Sequence, residues 1–353
     1  LGIRSGLVLA VADDPGMHSS QNEQDSRYYA DFGEAPCLEP GSQQEAYDMT
    51  RDAFELSERI GRPVVLRLVT RIAHSRALVE RRTPEPLHHG EATGGPDWIL
   101  VPGNARKQWE KTVAERDRMF HDPAAEKYNH VEPGDPATHL AVVTAGVARN
   151  YYNEYADELS PRPLHIHLGY HPLAHELFDT LPETIKRVTV LEDGYPYVER
   201  ELQRFLSKRV AIHGRRDGLV PSTGELTPET VRAALGLPPL PVHHAAADLP
   251  GRPPQLCNGC PHHDSFAMIS EVVGDDTTAI VTSDIGCYAL GGLGPGGVTD
   301  ALVCMGASIG MAKGAAEAGT ETVIATIGDS TFLHSGVAGL VDAVQADTLS
   351  LIH

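Results

Sequence analysis

Residues 322–344 read TVIATIGDSTFLHSGVAGLVDAV, and this stretch decides the fold. An apolar run from Thr322 to Ile327 suits a strand, which leads directly into Gly328, Asp329, Ser330 and Thr331, and small residues then open a helix. A glycine at a strand end lets the backbone approach a ligand closely. One carboxylate offers a hard oxygen to Mg²⁺, and the free N–H groups at a helix start suit an anion. Together these features make a site for a metal-bridged phosphate. The plain alternative is an ordinary strand-to-helix turn with Asp329 near the cap. It is the simpler reading of the stretch alone, and the neighbouring motifs weigh against it.

Upstream, Thr278 to Thr282 reads as a second strand, followed by Ser283-Asp284-Ile285-Gly286-Cys287-Tyr288. Gly306, Gly310 and Gly314 recur every fourth residue across Met305 to Ala318, a helix face along which a backbone or a ligand can come close; tight helix packing is the alternative. Cys257-Asn258-Gly259-Cys260 has the spacing of a metal or iron-sulfur hook, and Cys287 is placed to join it. His262 or His263 is an available further ligand, and inert thiols are the competing reading. Cys304 is expected to be small and buried.

The remaining chain repeats strand and helix patterns. Gly6 to Ala12 and Pro63 to Val69 read as strands around an amphipathic helix from Ser42 to Ile60, which predicts a parallel sheet. A second unit has strands at Leu140 to Gly146, Leu164 to Leu168 and Arg187 to Leu191, closed by a helix from Tyr197 to Leu206. Polar, turn-rich residues 76–137 form a connector apart from a charged helix near Ala105 to Met119, and proline-rich residues 214–255 read as a linker. The expected class is therefore α/β, with several open parallel-sheet domains. Asp13 to Asp25, DDPGMHSSQNEQD, follows the first strand at the sheet edge where ligands bind, and His18 is its one side chain able to exchange protons near neutral pH. The pairs His88-His89 and His243-His244 have no spaced partners and read as solvent-exposed.

Composition narrows the function classes. The 353 residues, 41% of them hydrophobic, suffice for two or three domains with proper cores. With 48 acidic and 29 basic residues the formal charge is −19, which repels nucleic acid and anionic membrane surfaces. The most apolar run, Ala301 to Ala312, is too short to span a bilayer, so a cytoplasmic location is the default expectation. Five cysteines, clustered late and odd in number, are not a disulfide framework.

The GDS turn resembles the diphosphate-binding motif of thiamine diphosphate enzymes, and the chain as a whole resembles the alpha subunits of indolepyruvate ferredoxin oxidoreductases, in the 2-oxoacid:ferredoxin oxidoreductase superfamily. The residues carrying this resemblance are DDPGMHSSQNEQDSRYYA at 13–30, LEPGSQQEAYDM at 38–49, TGELTPE at 223–229, CNGCPHHDSF at 257–266, SDIGCYALG at 283–291, CMGASIGMAKG at 304–314 and GDSTFLHSG at 328–336. It implies thiamine diphosphate-dependent oxidative decarboxylation of an aryl pyruvate, with electrons passing through iron-sulfur (4Fe-4S) clusters to ferredoxin and the acyl group passing to coenzyme A. It also implies a smaller beta subunit as partner. Asp329 would hold Mg²⁺, while Gly328, Ser330 and Thr331 would line the diphosphate. Ser283, Asp284, Gly286, Cys287 and Tyr288 would lie near the cofactor, and His18 and Ser19 would face the substrate as catalytic groups.

The resemblance divides the chain into a pyrimidine-binding-type thiamine diphosphate domain at 1–90, a connector at 91–137, a transketolase C-terminal-like domain at 138–213, a linker at 214–255 and a diphosphate-binding domain at 256–353. Two family features are not found: the Asn that completes the Mg²⁺ shell, expected beyond the 348–353 strand, and the Glu that activates the aminopyrimidine, expected before Leu1. The cysteine-rich ferredoxin-like domain that holds most of the clusters is not found either, so the chain reads as an internal fragment, inactive by itself. Competing readings are a relative acting on pyruvate, 2-oxoglutarate or a branched-chain oxoacid, a nonoxidative thiamine diphosphate decarboxylase, and a silent scaffold subunit.

Overall fold

The computed structural model describes residues 2–3, 5–84, 98–179, 181–206, 209–241, 251, 253–293 and 297–348. The paired histidines at 88–89 and 243–244, and all but the first residue of the strand expected at 348–353, lie outside the described residues. The chain divides into two units, residues 1–242 and 243–353. Each is α/β with a sheet that is wholly or mainly parallel, as the sequence patterns predict.

In the first unit, one sheet places Val64–Val69 between Val8–Asp13 and Cys37–Leu38, all parallel, with Tyr170–His171 added antiparallel at the edge. The central strand is apolar on both faces because both faces are covered: Val64, Val65, Leu66 and Val69 are all buried. Arg67 is the exception, a fully buried cation in an apolar strand. The helix Gln43–Ile60 begins where Ser42 accepts a hydrogen bond from the Glu45 N–H and ends at Gly61, whose φ of +65° suits glycine. Its buried residues Met49, Ala53 and Leu56 recur at helical spacing and pack with Leu38, Val64 and Leu66. Burying such a side chain fully stabilises by about 1.5–3 kcal/mol.

The second sheet of this unit runs Asn129–Glu132, Leu164–Leu168, Leu140–Ala145, Arg187–Leu191, Ala211–His213, with only the first strand antiparallel. The helix Tyr197–Leu206 buries Tyr197, Val198, Leu202 and Leu206 against one face. On the other face Val142, Tyr152 and Leu191 meet Val220, Leu226 and Val231. The proline-rich segment after 214 is therefore folded at its start, since its apolar residues reach this core. A helix Pro228–Ala234 is set there by a capping box between Thr227 and Thr230, with Pro228 in its first turn. Between the two sheets lies a buried cluster of charges in which Arg67 joins Asp13 and Glu39 while Arg27 joins Asp25 and Glu192.

The second unit centres on three parallel strands in the order Ala301–Leu302, Ile280–Ser283, Val323–Thr326. Its core is small: Ile269, Val281 and Ile324 on one side, Ile309, Ala325 and Ala343 on the other. The glycine-spaced helix spans Ala307–Glu317, with Gly306 before it at φ +86°. A side chain at Gly306 would come within 2.8 Å of Ser335 Oγ, whereas one at Gly310 or Gly314 would meet nothing within 4 Å. Only the first of the three glycines is therefore required by close approach. Cys304 is exposed rather than buried, because it lies in the turn before this helix and not on its inner face. Among the described residues, no helix is long and apolar enough to cross a membrane.

Candidate functional site

In the second unit, the carboxyl ends of neighbouring parallel strands bring Ser283 and Thr326 together. Thr326 Oγ1 donates to Ser283 Oγ at 2.9 Å, and Thr299 Oγ1 lies 2.8 Å from that same oxygen. From the second of these strands the chain passes through Gly328 into helical backbone that starts at Asp329 and continues to Gln345. Asp329 and Ser330 are exposed, Thr331 is buried, and a side chain at Gly328 would meet nothing within 4 Å. The Asp329 carboxylate has no hydrogen-bond or ion-pair partner among the described residues. A free hard-oxygen ligand beside open space at a helix start suits Mg²⁺ bridging a diphosphate. These residues fit their share of such a group.

Asp284 plays a different part from its neighbours. It is fully buried, and its carboxylate accepts from the N–H groups of Gly306 at 2.7 Å, Ile285 at 3.1 Å and Ser308 at 3.1 Å. It thus holds the start of the Ala307–Glu317 helix and shapes the strand ends. Replacing Asp284 with Ala leaves the buried Ser308 N–H and the part-buried Ile285 and Gly306 N–H groups without this acceptor and is expected to destabilise the protein by about 1–3 kcal/mol, read from the urea midpoint, with Asp284→Asn losing less. The next residue but one, Gly286, has φ +138°, a conformation L side chains rarely adopt, and the space above it is open. Cys287 after it is exposed, and Tyr288 packs edge-on against His262 with ring centroids 4.7 Å apart.

The cysteines are not drawn together. Cys257 and Cys287 are exposed, Cys260 has its sulfur 3.2 Å from His262 Nδ1, and among the described residues no three His, Cys, Asp or Glu side chains converge as a metal set. In the conformation described, Cys257, Cys260 and Cys287 do not form such a set.

In the first unit, the residues after Val8–Asp13 form a tight loop organised by Asp14. Its carboxylate accepts from the Ser19 N–H at 2.9 Å, the Ser20 N–H at 3.2 Å, the Ser20 hydroxyl at 2.9 Å and the Thr70 hydroxyl at 2.8 Å. Burial opposes the charge on Asp14, but these hydrogen bonds outweigh it and hold the carboxyl well below the usual range. The loop presents His18 half-exposed, with Nε2 3.1 Å from Glu225 Oε1, while Ser19 is exposed. Glu225 is also the acceptor for Arg71, whose Nε donates at 3.0 Å, so His18 stands at the end of an Arg71, Glu225, His18 chain. Gly16 leaves room for the ring, since a side chain there would come within 2.8 Å of His18 Nε2 and displace it. Asp14 and Glu225 were present in the motifs DDPGMHSSQNEQD and TGELTPE, but their roles depend on contacts across the fold that spacing does not show.

Comparison with known proteins adds a family to this geometry. The C-terminal thiamine pyrophosphate-binding domain of thiamine pyrophosphate enzymes matches residues 284–352. Indolepyruvate oxidoreductase subunit IorA of Methanothermobacter thermautotrophicus is 36% identical over 98% of this chain and 58% of that protein. The subunits of the same name from Archaeoglobus fulgidus and Thermococcus kodakarensis are 36% and 35% identical over 98% of the chain. The chain thus spans a little over half the length of these relatives. Among solved structures, 2-oxoglutarate:ferredoxin oxidoreductase from Magnetococcus marinus aligns with TM-score 0.40 and 16% identity, covering 58% of this chain and 45% of that one.

Proposed function

We propose, from the premise that this chain is a relative of indolepyruvate oxidoreductase subunits IorA along nearly its whole length, that it serves thiamine diphosphate-dependent oxidation of 2-oxoacids, with aryl pyruvates as substrate. The complete enzyme, with a smaller beta subunit, would convert an aryl pyruvate, coenzyme A and two oxidised ferredoxins into an aryl-acetyl-coenzyme A, carbon dioxide, two reduced ferredoxins and a proton. The observation that carries this reading is the free Asp329 carboxylate at the parallel strand ends, next to the open space over Gly328.

When bound, thiamine diphosphate supplies an electron sink for the pair released with carbon dioxide. The chain's residues supply position. Asp329 would fix the Mg²⁺, and the N–H groups at the following helix start would face the diphosphate oxygens. Asp284 keeps the adjoining helix in register, and Ser283 stays tied to Thr299 and Thr326. In the first unit, His18 would exchange a proton through Nε2, with Glu225 orienting the ring and Arg71 holding Glu225 ionised. Burial raises the pKa of Glu225, and the hydrogen bonds from Arg71 and His18 more than reverse that, so this carboxylate is charged at neutral pH.

The test is ferredoxin reduction by the complete enzyme with indolepyruvate, with pyruvate and with 2-oxoglutarate, each with and without coenzyme A. The reading expects coenzyme A-dependent reduction and the highest kcat/KM for indolepyruvate. A higher kcat/KM for pyruvate would reassign the substrate, and aldehyde release without ferredoxin reduction would overturn the oxidoreductase assignment.

A further inference from the structure

The first unit carries a cavity of about 500 Å³, lined by residues to which the proposed reaction gives no role. Its size is within the range that holds small organic ligands. Phe32 and Trp109 stand in its lining, 89% and 56% exposed, an unusual amount of aromatic surface to leave in water. Aromatic faces of this kind receive either a flat ring or a cation.

Charge at the rim selects the ligand's outer end. Three carboxylates line the cavity: Asp31, Glu34 and Glu201. Arg116 pairs with Glu34 and Arg204 pairs with Glu201, whereas Asp31 has no ion-pair or hydrogen-bond partner among the described residues. Burial and the nearby Glu201 and Glu34 raise the Asp31 carboxyl above its ordinary value, and Arg204 and Arg116 offset only part of this. A cation at Asp31 would relieve that excess.

A buried histidine selects the inner end. His171 also lines the cavity, is 2% exposed, and has no hydrogen-bond partner for Nδ1 among the described residues. Its other ring nitrogen, Nε2, lies 3.2 Å from Glu39 Oε2, and Arg67 and Arg27 hold that carboxylate ionised against the effect of burial. Nε2 therefore carries the proton and donates to Glu39, which leaves Nδ1 as a lone-pair acceptor. A buried acceptor without a donor is costly, and a ligand that brings an O–H or N–H removes the cost.

We propose that this cavity binds an arylalkylammonium compound whose ring carries a hydrogen-bond donor, with the ammonium at Asp31, the ring against Phe32 and Trp109, and the ring donor on His171 Nδ1. Tyramine has all three features, 2-phenylethylammonium lacks the ring donor, and 4-hydroxyphenylacetate replaces the ammonium with a carboxylate. Calorimetric titration of the complete protein should show saturable binding of tyramine, binding about tenfold or more weaker for 2-phenylethylammonium, and none for 4-hydroxyphenylacetate. Asp31→Asn and Trp109→Ala should each weaken tyramine about tenfold while ferredoxin reduction by the 2-oxoacid stays unchanged. Equal affinity for the three compounds, no saturable binding of tyramine, or unaltered tyramine affinity in Asp31→Asn would overturn the proposal.

Discussion

Replacing Arg67 with Met is expected to destabilise the first unit by about 3–5 kcal/mol, a large share of the 5–15 kcal/mol typical of a folded protein. Arg67 is fully buried, and its Nε donates to Asp13 Oδ2 at 2.6 Å, one terminal nitrogen to Glu39 Oε1 at 2.6 Å and the other to the Asp193 carbonyl at 3.1 Å. Burial alone would lower its pKa, but Asp25 and Glu39 beside it more than restore the charge. Methionine fills a similar volume and leaves Asp13 and Glu39, both 2% exposed, facing each other without this cation. That loss of a partner, rather than the net worth of the ion pairs, sets the magnitude. Lysine keeps the charge but offers a single point of contact where the guanidinium forks between two carboxylates, so Arg67→Lys should be intermediate. Urea unfolding of the three proteins measures the series, and a Met variant within about 1 kcal/mol of the parent would show that the cluster does not hold the sheets together.

The same cluster gives the stability a pH dependence of definite sign. Asp193 is fully buried with one carboxylate oxygen lacking a partner among the described residues, and burial pushes its pKa from 3.8 up to about 6. The folded state therefore holds a proton that the unfolded chain releases between these values. The contribution of Asp193 is greatest at the acid end and is lost as pH rises through about 6. Asp25 behaves oppositely, because Arg27 and Arg67 outweigh burial and lower its pKa, so its contribution is lost as pH falls.

Much of this architecture was legible because long elements state their period. The strands at Leu164 to Leu168 and Arg187 to Leu191 and the helix at Tyr197 to Leu206 stand where their apolar patterns place them. The two-residue strands Cys37–Leu38 and Tyr170–His171 carry no period and were illegible. The segment after residue 214 looked like a linker because its prolines dominate, although Val220, Leu226 and Val231 are enough to fold it onto a core. At the candidate site the Gly328-Asp329 turn could be read locally, since strand, glycine, carboxylate and helix follow in sequence. The inward turn of Asp284 could not, because its partners Gly306 and Ser308 lie a strand and a turn away. Arg67 is the residue whose sequence context held most unused information: an arginine inside an apolar strand must meet a buried carboxylate.

The most direct test of the account is Mg²⁺-dependent binding of thiamine diphosphate to the complete protein and to its Asp329→Ala variant. Asp329 is the exposed carboxylate at the end of the Val323–Thr326 strand, and no other acid among the described residues stands in the Gly328 to Thr331 turn. Removing it takes away a hard-oxygen ligand, so the metal has nothing on this turn to hold it beside the diphosphate. Asp329 is exposed and unpartnered, so the substitution should leave the unfolding midpoint within about 0.5 kcal/mol of the parent, which separates loss of binding from loss of fold. Calorimetry should show saturable thiamine diphosphate binding by the parent in the presence of Mg²⁺ and none when the metal is chelated. The account predicts that Asp329→Ala abolishes that binding, and an unchanged affinity in the variant would contradict it.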